Sequence, residues 1–124
     1  MAKKLVTILG VVFVLLGVLG FIPGLTPDGH VLGILAVDGI HNVVHLLSGI
    51  LALVFANKGE ASAKSFAKVF GIVYGLVAVL GIIAPGTVNM IMHLNGAGNI
   101  LHVFLAVVFL VIGYGGRSDS RPMM

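Results

Sequence analysis

The chain has 124 residues, 59% of them hydrophobic and only 9% charged, and a mean hydropathy of +1.20. So few charged side chains cannot solvate the surface of a water-soluble domain, which excludes that class of protein. The formal net charge of +3 comes from basic residues that flank hydrophobic segments, so it indicates a membrane topology rather than a nucleic-acid partner, and the absence of cysteine excludes disulfides and thiolate chemistry.

Four apolar segments follow one another along the chain. Each is about 18–23 residues long, enough for a helix rising about 1.5 Å per residue to cross a hydrocarbon core of about 30 Å. The connections between them are too short for a soluble module. The sequence therefore predicts a single domain, residues 1–124, folded as an all-α integral-membrane four-helix bundle. The predicted spans are roughly residues 5–22, 34–56, 67–84 and 96–114.

The basic residues are expected on one side of the membrane. They precede the first segment, lie in or beside the middle connection, or follow the fourth segment: Lys3, Lys4, Lys58, Lys64, Lys68, Arg117 and Arg121. The other two connections, about 23–33 and 85–95, contain no Lys or Arg. By the positive-inside rule, both termini and the middle connection are predicted to be cytoplasmic.

The second and fourth segments share a polar pattern, Asp/Asn-Gly-x-x-Asn-apolar-apolar-His. It begins at Asp38 and again at Asn95, an offset of 57 residues. The first and third segments align at an offset of 61, as between Gly20 and Gly81. Two hairpins that enter the membrane in the same direction predict two parallel two-helix repeats about an axis along the membrane normal.

The polar positions of the repeat are expected to face the inside of the bundle, because ionisable and amide side chains are costly in lipid. In each segment they fall within an arc of about 100° on a helix. Tyr74 of the third segment is predicted at a similar depth, with its hydroxyl within reach of a histidine. The polar positions are Asp38, His41, Asn42 and His45 in the second segment and Asn95, Asn99 and His102 in the fourth.

The leading interpretation of this face is a polar core that joins helices without binding a ligand. Asn and His side chains hydrogen-bond across helix interfaces in membranes and fix their register. Asn42, Asn95, Asn99 and Tyr74 would take this role together with the histidines. The protein would then be a non-enzymatic structural or interaction protein.

Two cofactors are alternatives. His45 and His102, one from each of two facing helices at equal depth, could ligate the iron of a b-type haem. His41 and His45 lie four residues apart on one helix face and could chelate one Zn²⁺ or copper ion, with Asp38 one turn outward and His102 opposite. Histidine-based proton sensing and a small-molecule or lipid site also stay open.

No enzyme is predicted, because no nucleophile–base pair is recognisable. Ser48 lies three residues beyond His45 and would need a partner. Gly71 and Gly75 form a G-x-x-x-G pattern, which allows close helix contact within one bundle or between subunits. The expected surroundings are the lipid bilayer, with a homo-oligomer or another membrane partner left open.

The stretch His41-Asn42-Val43-Val44-His45-Leu46 resembles the most recognisable motif of a family of small bacterial four-span membrane proteins, catalogued as a domain of unknown function. The resemblance covers nearly the whole chain, including residues 21–25 and 94–102. It implies a bacterial cytoplasmic-membrane location and supplies no activity or ligand. Gly98 stands where the first repeat has His41, so any metal site would be asymmetric.

Overall fold

The computed structural model of the chain describes residues 1–90, residue 92 and residues 95–115. Four of its helices are long and apolar enough to cross a membrane, which confirms the predicted all-α bundle and indicates a multi-pass membrane protein. The described helices are α1 (Ala2–Gly20), α2 (Gly39–Asn57), α3 (Glu60–Ile83), a short α4 (Pro85–Asn89) and α5 (Gly96–Gly115).

The helices pack most closely in two pairs, α1 with α2 and α3 with α5. Glycines make both approaches possible. A Cβ atom added at Gly10 would lie 3.0 Å from Leu53 Cγ, and one added at Gly71 would lie 2.8 Å from Leu110 Cδ2. Small residues at such points let helix backbones approach in lipid, where van der Waals packing drives association. These two contacts join positions that correspond in the two predicted repeats.

The connection between α1 and α2 has structure of its own, and α2 begins at Gly39, later than the predicted span. Turns of 3-10 helix at Pro23–Leu25 and Pro27–Gly29 lead into strand β1 (His30–Val31), which pairs antiparallel with β2 (Leu35–Ala36). Leu32 and Gly33 reverse the chain with φ angles of 52° and 78°. The apolar residues 34–37 therefore lie in this hairpin and directly after it, not in the helix.

The middle connection is shorter than predicted, because α3 begins at Glu60. Only Lys58 and Gly59 separate it from α2, and Gly59 adopts a φ of 131°, a conformation that favours glycine. The Glu60 carboxylate accepts hydrogen bonds from the backbone N–H groups of Ala2 at 2.6 Å and Lys3 at 3.0 Å. It therefore caps α1, whose first N–H groups have no partner within the helix.

The two ends of the bundle differ in charge. The terminal end carries the N-terminus and the α2–α3 turn, and the connecting end carries residues 21–38 and 84–90. Lys3, Lys4 and Lys58 lie at the terminal end. Arg117 and Arg121, which also support the predicted topology, lie outside the described residues. Which end faces the cytoplasm stays a prediction.

An aromatic layer crosses the middle of the bundle and consists of Phe13, Tyr74 and Phe109. Phe13 stacks on both neighbours, with ring centroids 5.4 Å from Tyr74 and 6.0 Å from Phe109. Towards the terminal end the core combines small side chains, such as Ala56 and Ala63, with the buried ring of Phe66. The aromatic layer thus separates this tightly packed end from the polar residues on its other side.

Candidate functional site

Three histidines from two helices meet on the connecting side of the aromatic layer. His41 and His45 come from α2 and His102 from α5, and each side chain is at most 2% exposed. The ring centroids lie 4.3 Å apart for His41 and His45, 5.7 Å for His41 and His102, and 6.2 Å for His45 and His102. One nitrogen from each ring lies within 4.8 Å of the other two. We call these three residues the histidine cluster.

Helix caps set the positions of these rings. The Asp38 carboxylate accepts a hydrogen bond from the His41 backbone N–H at 2.8 Å, and the Asn95 side-chain oxygen accepts one from the Gly98 N–H at 2.9 Å. Asp and Asn are favoured at this position because they satisfy a free N–H of the first turn. Equivalent caps start α2 and α5 seven residues before His45 and His102, which brings both rings to the same level.

Two of the predicted site residues, Asp38 and Asn95, cap the first turns of their helices. Asp38 is partly exposed and lies outside the group of candidate ligands. Asn95 also donates from its amide nitrogen to the Ile34 carbonyl at 2.8 Å, so it fastens the start of α5 to the β hairpin. The repeated Asp/Asn-Gly pattern thus marks the beginning of each helix.

Two rings of the cluster have no hydrogen bond at either nitrogen in the part of the chain that the structure describes. Within the described residues, both nitrogens of His45 and both of His102 are buried without a hydrogen-bond partner. A buried polar group in this condition typically costs about 1–3 kcal/mol. Such groups are rare in native proteins and often mark a site for water or an ion. A water molecule or an ion bound between the rings would supply a partner for one nitrogen of each.

A pair of hydroxyl groups lies beside the cluster. Ser48 Oγ and Tyr74 Oη are 2.8 Å apart, and the two residues are 4% and 3% exposed. The Tyr74 ring lies against His102, with 5.3 Å between the ring centroids. The sequence predicts that the Tyr74 hydroxyl lies within reach of a histidine, and it identifies no partner for Ser48. In the structure the two hydroxyl groups are each other's partners. The spacing 41, 45 and 48 along one helix stripe was the signal that could have placed Ser48 here.

A cavity of about 120 Å³ adjoins both groups. Residues of α2, α3 and α5 form its wall, with Met92 from the connecting end: His41, Val44, Ser48, Phe70, Val73, Tyr74, Val77, Met92 and His102. It has room for about four water molecules at about 30 Å³ each. Pockets for drug-sized ligands and cofactors usually have volumes of about 300–1,000 Å³.

The remaining predicted polar residues, Asn42 and Asn99, lie at the contacts within each helix pair. Asn99 Nδ2 donates to the Gly81 carbonyl at 3.2 Å. Asn42 is 3% exposed and packs over Gly20, where an added Cβ would overlap its amide group. Gly20 and Gly81 occupy corresponding positions, as do the two asparagines. The amides therefore join α1 to α2 and α3 to α5, whereas the histidines face one another between the pairs.

The chain matches one protein family, whose function is unknown. A family model described as a domain of unknown function (DUF4383) matches residues 3–115. The matched region contains the histidine cluster and nearly all of the four long helices. It confirms the resemblance predicted from the His-Asn-x-x-His-Leu motif. No curated protein and no solved structure matches the chain.

Proposed function

The chain belongs to this family of unknown function, and from the geometry of its histidine cluster we propose that it is a non-enzymatic membrane protein that binds one transition-metal ion. The ion would be Zn²⁺ or a copper ion, because imidazole nitrogen suits both. The ligands would be His41, His45 and His102.

The observation that carries this proposal is the convergence of three buried imidazoles. Their candidate ligand nitrogens all lie within 4.8 Å of one another. Zinc–nitrogen bonds of about 2.0–2.1 Å place the nitrogens of a tetrahedral site about 3.3 Å apart, so side-chain movements on the order of 1 Å would close the rings around one ion. Coordination would also satisfy a nitrogen on His45 and one on His102.

A single ion is better supported than haem. His45 and His102 were the predicted haem ligands, but the adjoining cavity of about 120 Å³ is far smaller than pockets that hold large cofactors. In addition, the His41 ring lies 4.3 Å from that of His45, in the space where a porphyrin would have to fit. Asp38 is left out of the ligand set because its carboxylate caps α2.

A second candidate function is helix packing without any ligand. The hydrogen bond from Asn99 to the Gly81 carbonyl and the packing of Asn42 over Gly20 support it, since both act between neighbouring helices. Polar contacts of this kind contribute roughly 0.5–2 kcal/mol each in membranes. Under this alternative, the three histidines only fill the core, and no metal would bind them stoichiometrically.

The test between these functions is elemental analysis. The full chain, purified in detergent without chelator or a polyhistidine tag and then loaded with Zn²⁺ or Cu⁺, is expected to retain about one ion per chain by mass spectrometry. His45→Gln and His102→Gln should each abolish stoichiometric retention. His30→Gln is the matched control, because His30 lies in β1 outside the cluster and should not affect binding. Wild-type protein that retains no metal would overturn the proposal and leave packing.

We also propose that the protein resides in a bacterial cytoplasmic membrane with its terminal end inside. The lysines at that end support this orientation through the positive-inside rule. The chain has no cysteine, so single-cysteine variants can be labelled selectively. A membrane-impermeant maleimide added to intact cells should label Ile34→Cys at the connecting end but not Ala61→Cys near the α2–α3 turn. Permeabilised cells should label both, and the reverse pattern in intact cells would overturn the orientation.

A further inference from the structure

We infer that the metal ion of the histidine cluster leaves one coordination position open to the adjoining cavity, and that this position takes a small inorganic anion or hydroxide, which Ser48 and Tyr74 hydrogen-bond. This inference rests on the proposed metal site and names the ligand that the site would accept. Three protein ligands with a fourth position for an exogenous ligand are typical of open zinc sites, whereas structural sites are closed by four protein ligands.

The position of the cavity supports an open site. His41 and His102 line the cavity of about 120 Å³ directly, so an ion held between them would border that space. Ser48 and Tyr74 line the same cavity. Most of the other described residues in the wall are apolar, which favours a compact ligand over a large polar one. The volume accommodates a ligand of roughly one to three heavy atoms together with water.

The charge of the proposed metal site favours an anion as the fourth ligand. Neutral imidazoles supply no negative charge, and within the part of the chain that the structure describes, no carboxylate belongs to the candidate ligand group. A divalent ion there would keep two positive charges in a low-dielectric interior, which is costly unless a counter-charge is close. A hydroxide, halide or azide ion at the fourth position would offset one of those charges.

The hydroxyl pair offers a hydrogen bond to that anion. Ser48 Oγ and Tyr74 Oη have one proton each, and the bond of 2.8 Å between them uses one of the two. The other proton can be donated into the cavity. Either hydroxyl can supply it, because the donor and acceptor roles within the pair can be exchanged. Removing one hydroxyl therefore still leaves a donor, whereas removing both leaves none.

Azide binding to the metal-loaded protein is expected to depend on the two hydroxyl groups together. The full chain is loaded with Co²⁺, whose visible spectrum reports its coordination, and is titrated with sodium azide. Wild-type protein should give a saturable spectral change. Ser48→Ala and Tyr74→Phe alone should weaken azide binding by less than about threefold, and the double variant by about tenfold or more, the usual effect of a charge-assisted hydrogen bond. Co²⁺ stoichiometry should stay at one in all of them.

The matched control is the double variant Ser65→Ala/Tyr114→Phe, which removes the same two groups from exposed positions. It should bind azide like the wild type. Failure of wild-type protein to bind Co²⁺, Zn²⁺ or Cu⁺ would overturn the metal site itself. Stoichiometric Co²⁺ with no azide response, or with an equal response in wild type and the Ser48→Ala/Tyr74→Phe variant, would overturn only the anion inference.

Discussion

The two helix pairs of this molecule, α1 with α2 and α3 with α5, use the same contacts for packing. Gly10 faces Leu53 in the first pair, and Gly71 faces Leu110 in the second. An asparagine of α2 or α5 packs over, or donates to, the last glycine of the repeat on the partner helix. A capping Asp or Asn begins each second helix. Apart from His45 and His102, the residues that the two pairs share therefore serve the packing of each pair.

The pairs differ at the positions that form the candidate site. His41 corresponds to Gly98, and Ser48 corresponds to Leu105. In the other direction, Tyr74 of the second pair corresponds to Phe13 of the first. The third imidazole and the hydroxyl pair thus lie at positions where the two halves of the predicted repeat differ. The candidate site therefore combines the shared pair His45 and His102 with three side chains that have no counterpart of the same kind in the other helix pair.

Removing the imidazole that the second pair lacks is expected to have the largest effect. His41→Ala removes the imidazole that Gly98 does not supply in the second pair. We expect metal affinity to fall by at least about 100-fold, more than a supporting residue usually contributes, because a direct ligand is lost. Competition with a chelator of known affinity measures this change.

If the His41→Ala variant bound metal as tightly as wild-type protein, His41 would not be a ligand. His45 and His102, which are common to both copies, would then be sufficient. The control is His30→Ala, in a partly exposed residue of β1, which should leave affinity unchanged.

The next largest effect concerns packing. Gly71→Ala places a Cβ 2.8 Å from the Leu110 side chain, whereas Gly75→Ala places one 3.9 Å from the Ala106 Cβ, an ordinary contact. We expect Gly71→Ala to lower the free energy of unfolding by about 1–3 kcal/mol through overpacking. Gly75→Ala should be neutral or stabilising by up to about 1 kcal/mol, because alanine favours helix. Denaturation in detergent, followed by circular dichroism, distinguishes them.

Because both substitutions lie in α3 and change the same atoms, helix propensity cancels from their difference. Equal stabilities would show that Gly71 is not at a close contact. Gly10→Ala should behave like Gly71→Ala, since its Cβ would lie 3.0 Å from Leu53.

The sequence predicted the bundle because helix length and hydropathy are local properties that the membrane constrains strongly. It misplaced the start of α2, since apolar residues 34–37 continue the hydropathy of the segment although they belong to the hairpin that includes β2. The Asp38-Gly39 pair carried the correct signal as a helix cap. The same aspartate also fits the polar face of the helix by helical periodicity, so the sequence alone does not separate the two roles.

The arrangement of the site was predictable only where helix periodicity governs it. The spacing of His41 and His45 places them on one face, and the repeat relates His102 to His45. The meeting of Ser48 with Tyr74 depends on how α3 is rotated against α2, which is set by packing between helices and not by either sequence alone. For the same reason the sequence predicts one polar group that contains Asn42, Asn99 and the histidines. In the structure the two asparagines pack within the separate helix pairs.

The smallest expected effect is that of exchanging the two helix caps, which tests whether they are equivalent. Asp38→Asn gives the first pair the cap of the second, and Asn95→Asp makes the opposite exchange. Either residue type satisfies a free N–H of the first turn, so each exchange should change the free energy of unfolding by less than about 0.5 kcal/mol, whereas Asp38→Ala should lower it by about 1 kcal/mol. Asp38→Asn should also retain one metal ion per chain. Loss of that ion in an otherwise stable protein would show that the Asp38 carboxylate is a ligand, so that the difference between Asp38 and Asn95 would belong to the chemistry of the site rather than to its packing.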